Sequence, residues 1–172
     1  MSFKTFETER LMLRPTNVSD SKFILELLNT PKWIKYIGDR NVNNIEDAKF
    51  YLLEKTIPVY KKYGFGFYKL TLKGTNIPIG TAGLISRQNL DFPDLGFALL
   101  PEYESQGYGY ESSLAILELA KTRFHLNKVL GITLEHNKKS IKLLEKLGLQ
   151  FEKKVKPFED DEELLLFAKK LI

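Results

Sequence analysis

Pro101-Glu102-Tyr103-Glu104-Ser105-Gln106-Gly107-Tyr108-Gly109-Tyr110-Glu111-Ser112-Ser113 separates an apolar run, Leu95-Gly96-Phe97-Ala98-Leu99-Leu100, from a helical pattern carrying Leu114, Leu117, Ala120 and Phe124. Proline cannot donate to a sheet ladder, so a strand over roughly 94–100 should stop at Pro101. Gly107 and Gly109 allow a sharp turn and a close approach by another molecule before helix propensity takes over at Glu111. A strand, a glycine-containing loop and a helix N-terminus together present unpaired N–H groups and a partial positive charge, which is the chemistry of an anion site. The spacing is not that of a dinucleotide fold, because Ser112 stands where a third glycine belongs. A Walker loop is excluded by the lack of Gly-Lys-Ser/Thr. Two glycines alone are equally consistent with a plain strand-to-helix turn.

Three stretches in order narrow the reading. Glu7-Thr8-Glu9-Arg10-Leu11-Met12-Leu13-Arg14 opens the chain, Asp94-Leu95-Gly96-Phe97 leads into the loop quoted above, and Asn137-Lys138-Lys139-Ser140-Ile141-Lys142-Leu143-Leu144-Glu145-Lys146-Leu147-Gly148-Leu149 follows late. Taken together they resemble the GNAT family of acetyl-CoA-dependent N-acetyltransferases, in particular its RimJ/RimL-like branch. The resemblance implies a mixed α/β (α+β) fold: a mostly antiparallel sheet of about six to seven strands, flanked by helices, with two central parallel strands that splay apart. It also implies a single acetyltransferase domain over residues 1–172 and acetyl-CoA as co-substrate.

The residues carried over from the family are specific. Leu99 and Leu100 should contact pantetheine, with a backbone N–H near Leu99 as oxyanion donor. Gln106, Gly107, Tyr108, Gly109 and Tyr110 should cradle the pyrophosphate, and Asn137, Lys139 and Ser140 should complete the cofactor site. The loop departs from the family at Glu104-Ser105, which replaces Trp-Gly, and at Gln106, which replaces a Lys or Arg; weaker CoA affinity follows. Lys138, Lys139 and Lys142 could restore the missing charge or simply form a solvated helix face.

Catalysis requires a deprotonated amine, and a free primary amine has a pKa of about 10.4. Asp94 matches the family's acidic position, as general base through an ordered water or as a binder of the substrate ammonium. An exposed aspartate after Pro93 would also fit a strand start with no chemistry. His136 is the alternative base, and His125 is less suited. Many family members carry a tyrosine acid where this chain has Leu144; the branch has a serine, matched here by Ser140, and a thiolate with a pKa of about 8.5 leaves without much help. Asn137 can cap the following helix as well as reach the pantetheine amide.

The remaining chain fits such a domain. Asn17-Val18-Ser19-Asp20 starts an amphipathic helix through Phe23, Ile24, Leu27 and Leu28, and Pro31 stops it. Trp33, Tyr36 and Ile37 form an aromatic patch, core by composition, although in the resembled family this segment borders the acceptor cleft and makes Trp33 and Tyr36 substrate-binding candidates. Asn43 with Glu46 reads as a capping box for a helix that Pro58 kinks or divides. Strands over 65–73 and 77–86 join at Gly74-Thr75-Asn76, and Gly80 and Gly83 mark a bulge or a close backbone approach. Two terminal strands, about 150–155 and 164–170, flank Glu159-Asp160-Asp161-Glu162-Glu163, either a solvated turn or a patch that attracts cationic amines.

Composition sets outer limits. With 172 residues and 43% hydrophobic content the chain can bury a sizeable core. It has no cysteine, so disulfides and a covalent thiol intermediate are excluded and direct attack in a ternary complex is expected. No apolar run approaches the roughly 20 residues of a membrane span, and a charged, strand-like start without a signal sequence points to the cytoplasm. A net charge of +4 suits a polyanionic cofactor and is too small to argue for nucleic acid. No metal-ligand spacing stands out, and a homodimer is compatible with the resemblance. The expected partner is an amine-bearing acceptor, either a peptide N-terminus or a small molecule. Two other classes remain open: a silent acyl-CoA-binding module, which would bind without turnover, and a nucleotide-phosphate domain, where ATP or NAD would compete with acetyl-CoA.

Overall fold

The computed structural model describes residues 4–157 and 162–172. Eight extended segments pair into one sheet among the described residues: β1 (Phe6–Glu7), β2 (Leu11–Pro15), β3 (Phe67–Leu72), β4 (Pro78–Ile85), β5 (Asp94–Leu99), β6 (Lys128–Thr133), β7 (Gln150–Val155) and β8 (Leu164–Lys170). The strand order is β1-β2-β3-β4-β5-β6-β8-β7, antiparallel throughout except where β5 meets β6. The mixed, mostly antiparallel α/β architecture is the expected one. The two residues of β1 bring the described strands to eight, where six to seven were expected.

Among the described residues six α-helices flank the sheet: α1 (Ser21–Leu28), α2 (Pro31–Tyr36), α3 (Ile45–Tyr51), α4 (Ile57–Tyr63), α5 (Tyr108–Thr122) and α6 (Lys138–Lys146). Period two along β5 divides its side chains between two cores. Leu95, Phe97 and Leu99 join the main core with Ile116, Leu117 and Ala120 of α5 and Leu144 of α6. Ala98 and the following Leu100 face the other way, into a cluster built by Phe23, Ile24 and Leu27 of α1 and Ala48 of α3. The central strand is therefore clamped between two helical layers, which fixes the register of everything attached to its C-terminal end.

Local expectations fare differently. As expected, α1 ends ahead of Pro31, at Leu28; Pro31 itself opens the next helix, α2, where its missing N–H removes nothing the helix needs. The cap of α3 is Asn44, whose side chain accepts from the Asp47 N–H at 2.9 Å, one residue later than the Asn43 start. Pro58 sits at the start of α4, and the stretch Leu52–Thr56 before it is wound as π-helix, so the proline does divide this helix. Between β3 and β4 the register skips Ile79, a bulge beside Gly80. A Cβ at Gly80 would lie 2.2 Å from the Ala98 carbonyl oxygen, so β4 and β5 approach as closely as glycine permits. Of the acidic turn, Glu159, Asp160 and Asp161 lie outside the described residues; Glu163 pairs loosely with Lys154 at 3.5 Å. Among the described residues no helix is long and apolar enough to cross a membrane.

Candidate active site

The site grows out of a strand pair that fails to stay together. β5 and β6 share a single residue pair, Asp94 with Leu130, and the Leu130 N–H donates to the Pro93 carbonyl at 2.9 Å. Beyond it the two strands diverge, leaving a V whose open end lies at the C-terminal end of β5. On the other edge β5 remains paired with β4 along its whole length. The Leu100 N–H donates to Ile79 O at 2.8 Å and the Leu100 carbonyl accepts from Tyr103 N–H at 3.0 Å, so both backbone groups of this residue are engaged and its side chain is buried. Donors alternate between the two edges of an antiparallel strand. With Leu100 turned toward β4, the N–H of Leu99 faces the V, and so does that of Phe97.

Directly above the V, Gly107 caps α5 in the left-handed region, φ +85°, which a β-carbon disfavours. Gln106 and Gly107 are exposed, Tyr108 and Tyr110 half-buried, and the first turn of α5 points its free N–H groups outward. Gly109 differs from expectation: it lies buried inside α5, where an added Cβ would sit 3.4 Å from Leu143 and 3.8 Å from Leu99 and Phe97. These are ordinary van der Waals distances, so the packing of α5 on α6 and β5 would admit a β-carbon here. On the far side of the V, Asn137 caps α6, its side-chain oxygen accepting from Ser140 N–H at 3.3 Å. Gly148, φ +88°, ends the same helix as C′, as the sequence indicated. Ser140 is half-buried, Lys138, Lys139 and Lys142 are exposed along α6, and Lys146 lies 4.2 Å over the Tyr110 ring.

Asp94 stands at the apex of the V on the face turned away from α5, and it is not the exposed strand-start residue of the alternative reading: it is 2% accessible. Arg87 Nε donates to its Oδ1 at 2.8 Å. Burial pushes the Asp94 carboxyl above the ordinary carboxylate range, while the Arg87 guanidinium pulls the other way. Helix α2 reaches both arms of the V. Lys32 pairs with Glu104 after β5, and Tyr36 packs its ring 5.7 Å from that of the exposed His136 before α6. Trp33, between them, is half-buried against the α1–α3 cluster, with its indole N–H buried and unpartnered among the described residues.

The geometry thus gathers Leu99, Gln106, Gly107, Tyr108 and Tyr110 on one side and Asn137, Lys139 and Ser140 on the other, with Tyr36 and His136 at the rim and Asp94 at the base. Sequence reasoning missed Arg10, Glu111, Arg87 and Lys32. Arg10 Nε donates to Glu111 Oε2 at 2.7 Å across 101 positions of sequence, a pairing no spacing rule reaches. Its only advance signal was that both residues belong to the stretches that carried the family resemblance.

A strand pair parted beside a helix N-terminus defines the class, and the family comparison agrees. A model of the acetyltransferase (GNAT) domain matches residues 10–150, and the chain belongs to that family. GNAT acetyltransferases draw their acetyl group from acetyl-CoA. The chain is 24% identical over 151 residues to the uncharacterized N-acetyltransferase YoaA of Bacillus subtilis, covering 87% of this chain and 85% of that protein. Its fold is that of a ribosomal-protein-S5-alanine acetyltransferase from Vibrio fischeri, with TM-score 0.82, 21% identity and coverage of 97% and 96%. It is equally that of RimL, an alpha-N-protein acetyltransferase solved with coenzyme A, with TM-score 0.82, 15% identity and coverage of 97% and 98%.

Proposed function

We propose that this chain is an N-acetyltransferase that moves the acetyl group of acetyl-CoA directly to a primary amine, a peptide N-terminus or a small-molecule amine, within a ternary complex. The observation that carries the reading is the V between β5 and β6, with an unshared row of β5 N–H groups on its inner edge and the Gly107-capped end of α5 above it. Such an edge accepts an extended amide-bearing chain as a further strand would, and pantetheine is of that kind. The fit is supported by polarity as well: the α5 N-terminus suits a diphosphate, and the Leu99 N–H faces the gap. Acetyl-CoA, when bound, supplies the activated acetyl carbon.

The chain's own groups then have distinct tasks. Leu99 N–H donates to the acetyl carbonyl oxygen as negative charge builds there. Asn137 caps α6 and offers its amide to pantetheine, and Lys139 lends charge near the nucleotide. Asp94 draws the proton from the ammonium, directly or through water, and burial makes it a stronger base than a free aspartate. Ser140 would donate a proton to the departing thiolate, a small contribution with so good a leaving group. Tyr36 and Trp33 line the acceptor's approach. The absence of cysteine accords with direct attack, because no thiol can carry the acetyl group.

One observation favours a second reading. Arg87 holds the Asp94 carboxylate, and a base so pinned suits a silent acyl-CoA-binding module. Release of CoA thiol over a panel of free-N-terminus peptides and small amines, with product mass measured alongside, separates the two. The proposal predicts amine-dependent release and an acetylated amine; saturable acetyl-CoA binding with no amine-dependent turnover would establish the silent module.

A further inference from the structure

The loop that would meet the diphosphate carries the wrong charge. From Pro101 to Ser113 there are three carboxylates, Glu102, Glu104 and Glu111, and no lysine or arginine. Glu111 lies in the first turn of α5, where a carboxylate is favoured by the helix dipole but competes with any incoming anion for the same N–H groups. Cations reach this loop only from other parts of the chain. Lys32 of α2 pairs with Glu104, and Arg10, just ahead of β2, pairs with Glu111.

Arg10 does more than pair. Its Nε donates to Glu111 Oε2 at 2.7 Å, its backbone N–H donates to Glu111 Oε1 at 2.8 Å, and Thr8 Oγ1 donates to the same Oε1 at 2.6 Å. Burial alone would favour the protonated form of Glu111, but these donors prevail and hold its carboxyl below the usual range. A second guanidinium nitrogen donates to the Gln106 carbonyl at 3.0 Å, and the plane lies 4.2 Å from the Tyr108 ring centre. The third nitrogen would stand 3.2 Å from a Cβ at Gly107. One side chain therefore touches the loop at 106, 107, 108 and 111.

We propose that Arg10 is a positioning residue for the acetyl-CoA diphosphate, cancelling the Glu111 carboxylate and fixing the 106–108 backbone, and so supplies from the turn between β1 and β2 the cation that Gln106 lacks. This rests on the function proposed above. The pair explains how a loop with no cation of its own can receive a polyanion: its charge is neutralised from behind, leaving the α5 N–H groups free on the ligand's side. It also joins the chain's start to its cofactor loop, so that the edge of the sheet at β1 and β2 serves binding as well as folding.

The test is acetyl-CoA binding by calorimetry at low and high salt, with melting temperature measured for each variant. Arg10→Gln leaves the Glu111 carboxylate without a counter-cation beside the loop and should raise Kd for acetyl-CoA by on the order of tenfold at low salt, less as salt rises. Acetyl-pantetheine, which lacks the diphosphate, should be used equally well by wild type and variant. Arg10→Lys should recover part of the affinity. Arg10→Gln with Glu111→Gln should restore binding to within about threefold of wild type, since the offending charge is gone. Glu111→Gln alone should bind at least as tightly as wild type, an outcome that keeps the question answerable if Arg10→Gln does not fold. A folded Arg10→Gln with wild-type affinity, a double variant as weak as the single, or a weakened Glu111→Gln would each overturn the inference. Wild-type protein that binds no acetyl-CoA would instead contradict the proposed function.

Discussion

At the scale of single residues, the proposed deprotonation of the amine turns on Asp94 and Arg87. A carboxylate buried at the apex of the V is destabilised in its charged form, which raises its pKa; Arg87 at 2.8 Å opposes that rise. If Asp94 accepts the amine's proton, activity falls on the acid side where Asp94 becomes protonated. Removing Arg87 removes a lowering influence, so Arg87→Gln should shift the acid limb of the kcat/KM profile to higher pH. Asp94→Asn should lower kcat by on the order of 10²-fold at neutral pH, with a smaller loss at high pH where free amine is abundant. A pH profile untouched by both changes would move the base to His136 or to water. Asp94 as the candidate base was legible beforehand; its burial and its Arg87 partner were not. Asp94 stood out by its place in a quoted stretch, but its burial depends on packing from β6 and the 87–93 loop. Arg87 lies in a polar loop whose path no periodicity specifies.

At the scale of elements, the stretch from β5 to α5 was the most legible part of the chain, because each of its boundaries has a local cause. Pro101 cannot continue β5, and Gly107 alone among its neighbours takes φ +85° without strain. Gly107→Val should therefore distort the α5 cap and push aside Arg10, eliminating detectable acetyl-CoA binding while unfolding stays cooperative. Unchanged affinity in a folded variant would remove the loop from the site. The α6 cap was equally local: Asn137 and Gly148 sit at the two ends of a helix whose inward residues recur at helical spacing. Asn137→Ala should cost about 1 kcal/mol in urea unfolding, whereas Asn137→Asp keeps the capping oxygen and should cost little. If Asn137→Asp nonetheless weakens acetyl-CoA binding, the side-chain amide serves the cofactor as well as the helix. Equal loss of stability in both variants would show that the cap is not the source. Where an element's boundary depended on its neighbours, the reading slipped. The Asn44 cap prevails over Asn43 because its side chain reaches the Asp47 N–H.

At the scale of the molecule, the parting of β5 and β6 is a product of the whole sheet. Clamped between the α1–α3 cluster and the α5–α6 layer, β5 keeps an uninterrupted register with β4, with a close approach at Gly80. β6 is held instead by β8, so the two strands follow different partners and separate after one shared pair. This divergence was expected from the family resemblance and not from any local pattern, because it is a matter of which neighbour each strand twists with. The account's central claim is that the inner edge of β5 receives the pantetheine arm of acetyl-CoA. Amide hydrogen exchange at two adjacent residues tests it directly. The Leu100 N–H, bonded to Ile79, should exchange slowly with or without ligand, while the Leu99 N–H should exchange readily in the free protein and become protected when acetyl-CoA saturates the site. Saturating acetyl-CoA that leaves Leu99 exchange unchanged would contradict it.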